Sequence, residues 1–193
     1  LAIDNHQAPV DTSIARVIRL TLLTGQRRAE VVGATKDELQ LEGPSPVWTI
    51  PTGRAKNRTE HRLPLAPLAQ QLFQEAVDEA GGGSPFVFPG HRDNGQIHPD
   101  SVSTAMARIC DKLGIKKINV HDLRRTMGTY MSQYGVPVDI RGLILNHGGK
   151  RKGSITEGVY NRYDYEIEMR SALELWADAI LAIAAGGRSE IDD

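Results

Sequence analysis

Val47-Trp48-Thr49-Ile50, a loop over residues 51–60, and then His61-Arg62-Leu63-Pro64 form the stretch that decides the fold class. The first four residues are β-branched, aromatic or both kinds in turn, the types that suit a pleated and half-buried surface. The loop mixes Thr, Gly, Asn and basic residues. A second short strand follows it and closes at Pro64, which cannot donate to a ladder. The two runs predict a hairpin with one long loop. Upstream, residues 38–41 alternate weakly and Gly43-Pro44-Ser45-Pro46 turns the chain, which adds a third strand. The chain is therefore expected to hold a small three-stranded antiparallel sheet.

Outward from the sheet the pattern is helical. Residues 11–24 place Ile14, Val17, Ile18 and Thr21 or Leu22 on one face, with Asp11 or Thr12 as start cap and Gly25 as stop. A short helix is expected over 28–33. Longer ones follow over 66–80, 100–113, 121–134 and 138–145. Phe86-Val87-Phe88 reads as a short buried stretch between them. Ser154-Ile155-Thr156-Glu157 has capping-box spacing, so a helix carrying Tyr160 should begin there. A final helix over about 164–185 is expected to bury Ile167, Leu175, Trp176, Ala179, Ile180 and Ile183. The expected class is α+β, mainly helical, with helices around the small sheet.

The totals bound the rest. At 193 residues there is room for one core, with 40% apolar and 24% charged residues, as in an ordinary globular domain. No apolar run approaches the ~20 residues that span a bilayer. A single cysteine, Cys110, fits a reducing compartment such as bacterial cytosol. Residues 1–10 read as a linker, 11–185 as the domain, and 186–193 as a flexible acidic tail. The net charge of −1 does not advertise nucleic-acid binding, but local distribution matters more than the sum. Arg54, Lys56, Arg58 and Arg62 crowd the hairpin against Glu60 alone. Lys150, Arg151 and Lys152 make a second basic run. Acid collects in Glu75, Asp78 and Glu79 and in Glu190, Asp192 and Asp193.

Five motifs carry possible chemistry. Thr24-Gly25-Gln26-Arg27 turns out of a helix and places Arg27 to aim a planar fork of donors at a phosphate, with Glu30 behind it. Lys56 sits on a loop that lets it reach a leaving oxygen. His121 and Arg124 share one face of a helix start. Leu145-Asn146-His147-Gly148 sets a histidine at a helix end. Tyr160 and Tyr163 share a helical face. Taken singly, each has an ordinary reading: a surface ion pair, a solvated lysine, a helix cap, a packed tyrosine. Taken in order, two arginines, a lysine, two histidines and a tyrosine suit transfer of a phosphoryl group to tyrosine. The six histidines are scattered and the acidic pairs lack ligand spacing, so no metal site is expected.

In that order, with phrases such as Thr24-Gly25-Gln26-Arg27-Arg28 and His121-Asp122-Leu123-Arg124-Arg125-Thr126, the chain resembles the tyrosine recombinases of the phage-integrase family, in their prophage and genomic-island branch. The resemblance runs from about Thr21 to Trp176. It implies Arg27 and Arg124 as phosphate-clamping arginines, Lys56 as donor to the leaving 5′ oxygen, His121 and His147 as the two histidines, Glu30 as support for Arg27, and Tyr160 as nucleophile of a 3′-phosphotyrosine. It implies no cofactor. Arg54, Arg58, Lys150, Arg151 and Lys152 are expected to contact double-stranded DNA. The family's separate DNA-clamping domain is not expected within these residues, self-association on DNA is expected, and the place of work is cytoplasmic. Two features depart from the family: Asn146 stands where Gly or Ser is usual, and residues 148–153 lengthen the gap to the nucleophile, which leaves Tyr163 second and Tyr165 third in line. Rival readings are a type IB topoisomerase, a telomere resolvase and a non-catalytic DNA-binding module.

Overall fold

The computed structural model describes residues 10–90, 95–147 and 164–186. Helix α1 (Thr12–Thr24) starts where the Asp11 carboxylate accepts from the backbone N–H groups of Ser13 and Ile14, and ends at Gly25 with φ +65°. Then come α2 (Arg28–Val32), a 3₁₀ turn (Lys36–Glu38), and strands β1 (Leu39–Gln40), β2 (Val47–Ile50) and β3 (His61–Pro64). Helices α3 (Pro67–Ala80), α4 (Pro99–Leu113), α5 (Val120–Gln133), α6 (Val138–Ile144) and α7 (Asp164–Ala184) complete the described elements. The class is the expected one, and boundaries differ from expectation mostly by a residue or two.

The sheet has the order β1-β2-β3 and is antiparallel throughout. Trp48 opposes Leu39 on one side and Leu63 on the other. Its fully buried ring lies 5.2 Å from that of Phe73 on α3, and its indole N–H donates to Glu38 at 3.0 Å. Helix α1 is the axis of the domain, packing against α2, α3, α4, α5 and α7. One continuous apolar core joins sheet and helices.

Helix α7 packs on its own domain, against α6, β3, α1 and α5. The buried stripe is Met169, Ala172, Leu173, Trp176, Ala177 and Ile180, a clean 3-4 spacing. The Trp176 indole donates to the Leu22 carbonyl at 2.8 Å, and Arg170 reaches the Leu65 and Pro46 carbonyls. Ile167 and Leu175, expected inside, are exposed because they lie off that stripe, and Ile183, also expected inside, continues the stripe into an exposed last turn. Leu113, at the end of α4, is exposed as well. The helix expected from Ser154, with Tyr160 and Tyr163, lies outside the described residues, as do residues 148–153 and both terminal segments.

Candidate functional site

The turn between α1 and α2 presents Arg27. Gly25 makes that turn for two separate reasons. Its positive φ suits glycine, and a Cβ there would lie 2.3 Å from Met127 Sδ and 2.8 Å from Leu145 Cδ2. The missing side chain lets the turn press against α5 and the end of α6. Arg27 is the N-cap of α2, and Glu30 at the third helical position accepts from its backbone N–H at 3.0 Å. The same carboxylate accepts from the Arg27 guanidinium at 3.2 Å and from the backbone N–H of Lys56 at 3.3 Å. Glu30 is buried, so one carboxylate fixes the first arginine and the tip of the hairpin loop together.

Within that loop Arg54 turns inward. Its guanidinium grips Glu38 with two bonds, of 2.6 and 2.5 Å, and donates to the Glu30 carbonyl at 3.1 Å. Gly33 leaves room for it, since a Cβ there would sit 2.6 Å from the Arg54 guanidinium. Arg62 likewise pairs with Glu166 on α7 at 2.9 Å. Of the four hairpin cations, Lys56 and Arg58 are the ones with exposed side chains and no ion pair among the described residues. Asn57, beside Lys56, exchanges amide hydrogen bonds with Asn146, 2.6 Å in one direction and 3.3 Å in the other.

The end of α6 sets His147. The N–H of Asn146 bonds to the Leu143 carbonyl, and the N–H of His147 to that of Gly142, both at 3.0 Å. This is the paired pattern that closes a helix when the residue after the cap is left-handed. Asn146 is that residue, with φ +45°. The departure at Asn146 thus has a backbone reason: Gly and Asn are the residues that best tolerate this conformation.

Arg124, on α5, is buried and bridges two helix ends, donating to the Gly25 carbonyl and to the Leu145 carbonyl. Burial first, and then the Arg27 charge, lowers its pKa to about 10, while Glu30 opposes; it stays charged at neutral pH. His121, one turn earlier on the same helix, is exposed. The His147 pKa is lowered from its ordinary value by partial desolvation, then by Arg124, Arg27 and His121 in turn, which favours the neutral imidazole. Arg27, Arg124, His121 and His147 therefore share one electrostatic neighbourhood, and Glu30 links Lys56's loop to it.

His61 is a member of this neighbourhood that the sequence reading missed. It is buried at the start of β3, and its Nε2–H donates to the Ile144 carbonyl at 3.2 Å. The Gln26 amide donates to the same carbonyl at 2.7 Å. Burial pushes the His61 pKa down to about 4; Glu30 and the carbonyl oppose, and Arg124 and Arg27 add to the fall. Strand alternation was the available signal, because His61 shares the inward face with Leu63. Tyr165, at the start of α7, packs partly buried against the core. Tyr160, Lys150, Arg151 and Lys152 lie outside the described residues. Among the described residues, no group of three or more His, Cys, Asp or Glu side chains is placed to hold a metal, and no helix is long and apolar enough to cross a membrane.

Known proteins resemble this chain in sequence and in fold. The model of the phage integrase family matches residues 1–166. Prophage integrase IntA of Escherichia coli strain K12 is 29% identical over 181 residues, covering 93% of this chain and 41% of IntA. The chain thus spans about two fifths of the length of that relative. The integrase of mycobacterium phage Brujita superposes with a TM-score of 0.63 at 20% identity, over 89% of this chain and 55% of that one. XerH site-specific recombinase, in a pre-cleavage complex with its difH substrate, superposes with a TM-score of 0.60 at 17% identity, over 72% of this chain and 40% of that one. These two structural likenesses show a shared fold.

Proposed function

This chain belongs to the phage integrase family, and we propose that it carries the chemistry of site-specific DNA recombination: cleavage and rejoining of double-stranded DNA through a 3′-phosphotyrosine on Tyr160. The observation that carries the reading is the gathering of Arg27, Arg124, His121 and His147 around the Glu30-anchored hairpin loop of Lys56. A phosphodiester is anionic, and attack by a tyrosine oxygen gathers further charge on the phosphoryl oxygens. Preorganised cations and N–H donors stabilise that charge where it develops, and removing one such donor lowers a rate by roughly 10²–10³.

In this reading Arg27 and Arg124 clamp the non-bridging oxygens. Arg124 has two carbonyl partners and further N–H groups to offer, since a guanidinium carries five. His147 donates one hydrogen bond to the phosphate, and the shift of its pKa favours the neutral imidazole before DNA binds. His121 stands beside it. Lys56 protonates the departing 5′ oxygen. Tyrosine, with an ordinary pKa of ~10, is a stronger nucleophile as the phenolate, which the nearby cations favour. The phosphotyrosine conserves the energy of the broken bond, so rejoining needs no external energy source. We assign Arg58, Lys150, Arg151 and Lys152 to the DNA backbone, and Arg54 to holding the loop. The cytoplasm is the proposed place of work, and self-association on DNA a further part of the proposal.

The test is covalent capture. The natural full-length protein is incubated with a library of nicked duplexes of randomised sequence, and protein–DNA adducts are isolated and mapped by mass spectrometry. Adduct on Tyr160, abolished by Tyr160→Phe, is the expected result. Adduct on Tyr163 or Tyr165 would move the nucleophile. DNA binding with no adduct under any condition would replace the enzyme by a binding module.

A further inference from the structure

We infer that Asn57 and Asn146 are positioning residues, a reciprocal amide latch that sets the loop of Lys56 against the turn of His147. The inference rests on the strand-cleavage reading above and extends it to two residues that touch no substrate.

The loop over residues 51–60 needs such a device. Most of it is exposed, and its local bonds run from the Arg54 and Ala55 N–H groups to the Pro51 carbonyl and from the Arg58 N–H to the Ala55 carbonyl. These shape the loop without fixing where its tip points. Four contacts do fix it, the first being the grip of Arg54 on Glu38 and the Glu30 carbonyl. Ala55 is buried, Glu30 accepts from the Lys56 N–H, and Asn57 exchanges two side-chain bonds with Asn146. The last two contacts flank Lys56 directly. The Asn57 side-chain oxygen Oδ1 also accepts from the Thr59 N–H at 3.3 Å, which ties the descending limb of the tip to the same amide.

The identity of residue 146 favours a side-chain role. Asn146 and Arg58 are the non-glycine residues with positive φ among the described residues, and both lie at this junction. Glycine would meet the backbone demand at 146 with less strain. Asparagine meets it and adds an amide that reaches the hairpin. The next residue is His147, whose own position comes from the N–H bond to the Gly142 carbonyl. One short turn therefore places a phosphate-binding imidazole by its backbone and the lysine loop by its side chain.

In cleavage the tyrosine oxygen bonds to phosphorus, the phenol proton passes to solvent base, the bond from phosphorus to the 5′ oxygen breaks, and that oxygen takes a proton from the Lys56 ammonium. A latch that aims Lys56 acts on the proton donation alone. A substrate whose leaving group needs no proton is then indifferent to it. A 5′-bridging sulfur provides this, because a thiolate leaves unprotonated.

The experiment uses the natural full-length protein and a nicked duplex recovered by covalent capture, made with either oxygen or sulfur at the 5′-bridging position. Asn146→Gly keeps the left-handed turn and removes the amide. It is expected to cleave the oxygen substrate about tenfold more slowly than the parent, the effect of losing roughly one hydrogen-bonded pair, and the sulfur substrate at the parent rate. Asn57→Ala should behave alike, and the double variant should be no slower than either single one, because both remove the same interaction. Thermal melting of Asn146→Gly should match the parent. Equal slowing on both substrates, or parental rates on both, overturns the latch while leaving strand cleavage intact. If the parent forms no adduct with either substrate, the cleavage reading falls and the latch falls with it.

Discussion

Acid should destabilise this domain in a way that can be traced to one imidazole. His61 is 7% exposed, donates to the Ile144 carbonyl, and has its pKa pushed down to about 4 from 6.5, chiefly by burial. Between those two values the unfolded chain holds a proton at His61 that the folded chain does not. Stability tied to this group is therefore complete above pH 6.5 and is lost as pH falls toward 4. The full gap corresponds to roughly 3 kcal/mol, and the part lost between pH 7 and pH 5 to about 2 kcal/mol. Against a typical total of about 5–15 kcal/mol that is a large share. His61→Gln keeps an N–H to offer the carbonyl and has no proton to gain. Urea unfolding of both proteins at pH 7 and pH 5 gives four free energies, and the groups common to both proteins cancel in the double difference. The parent should lose about 2 kcal/mol more than His61→Gln over that interval. Parallel losses would refute the claim that the buried imidazole stays neutral.

Two further perturbations separate scaffold from surface. Gly25→Ala meets Met127 and Leu145 at clashing distance in a left-handed backbone. It should cost about 2–4 kcal/mol in urea unfolding, whereas Gly43→Ala, also left-handed (φ +88°) but with nothing within 4 Å, should lose only the backbone part, about 1 kcal/mol. Equal losses at the two glycines would mean that Gly25 is not held against α5 and α6. Arg54→Ala leaves the buried Glu38 without its paired cation and should destabilise the fold by roughly 2–3 kcal/mol, seen as a lower melting temperature. Arg58→Ala should leave melting within about 0.5 kcal/mol and reduce the salt dependence of binding to a random duplex by roughly one counterion. The reverse pattern would return Arg54 to the DNA surface.

These residues also mark what could be read in the sequence. The sheet and helices were legible because short-range patterns specify them: β-branched residues beside a turn, and apolar residues at 3-4 spacing. Ile167 and Leu175 were expected inside and Met169, Ala172 and Leu173 were not, because apolar residues are so dense along this helix that more than one inward stripe fits its pattern. Ile183 lies on the right stripe but in an exposed last turn. Arg54 looked like part of one basic cluster, and its partner Glu38 lies across the sheet. Only the β1–β2 register, with Leu39 opposite Trp48, brings that carboxylate under the hairpin. His61 was legible through alternation and was passed over. Asn146 was noticed as a departure, but its meaning needed a dihedral angle and a partner 89 residues away.

What joins these cases is the use made of helix ends. The last carbonyls of a helix lack partners within it and must find them elsewhere. At α6, Gln26 and His61 donate to the Ile144 carbonyl and Arg124 to the Leu145 carbonyl; at the end of α1, Arg124 donates to the Gly25 carbonyl. The groups that satisfy these ends include the second phosphate-clamping arginine of the proposed site. Folding the domain and assembling the cation cluster are to that extent the same bonds. A defect in Arg124 must appear in stability and in chemistry together, so no single substitution there can separate its two roles. Asn146 differs, because its backbone closes the helix and its side chain does something else. That division makes Asn146→Gly, more than any change at Arg124, the place where the proposed chemistry can be tested apart from the fold.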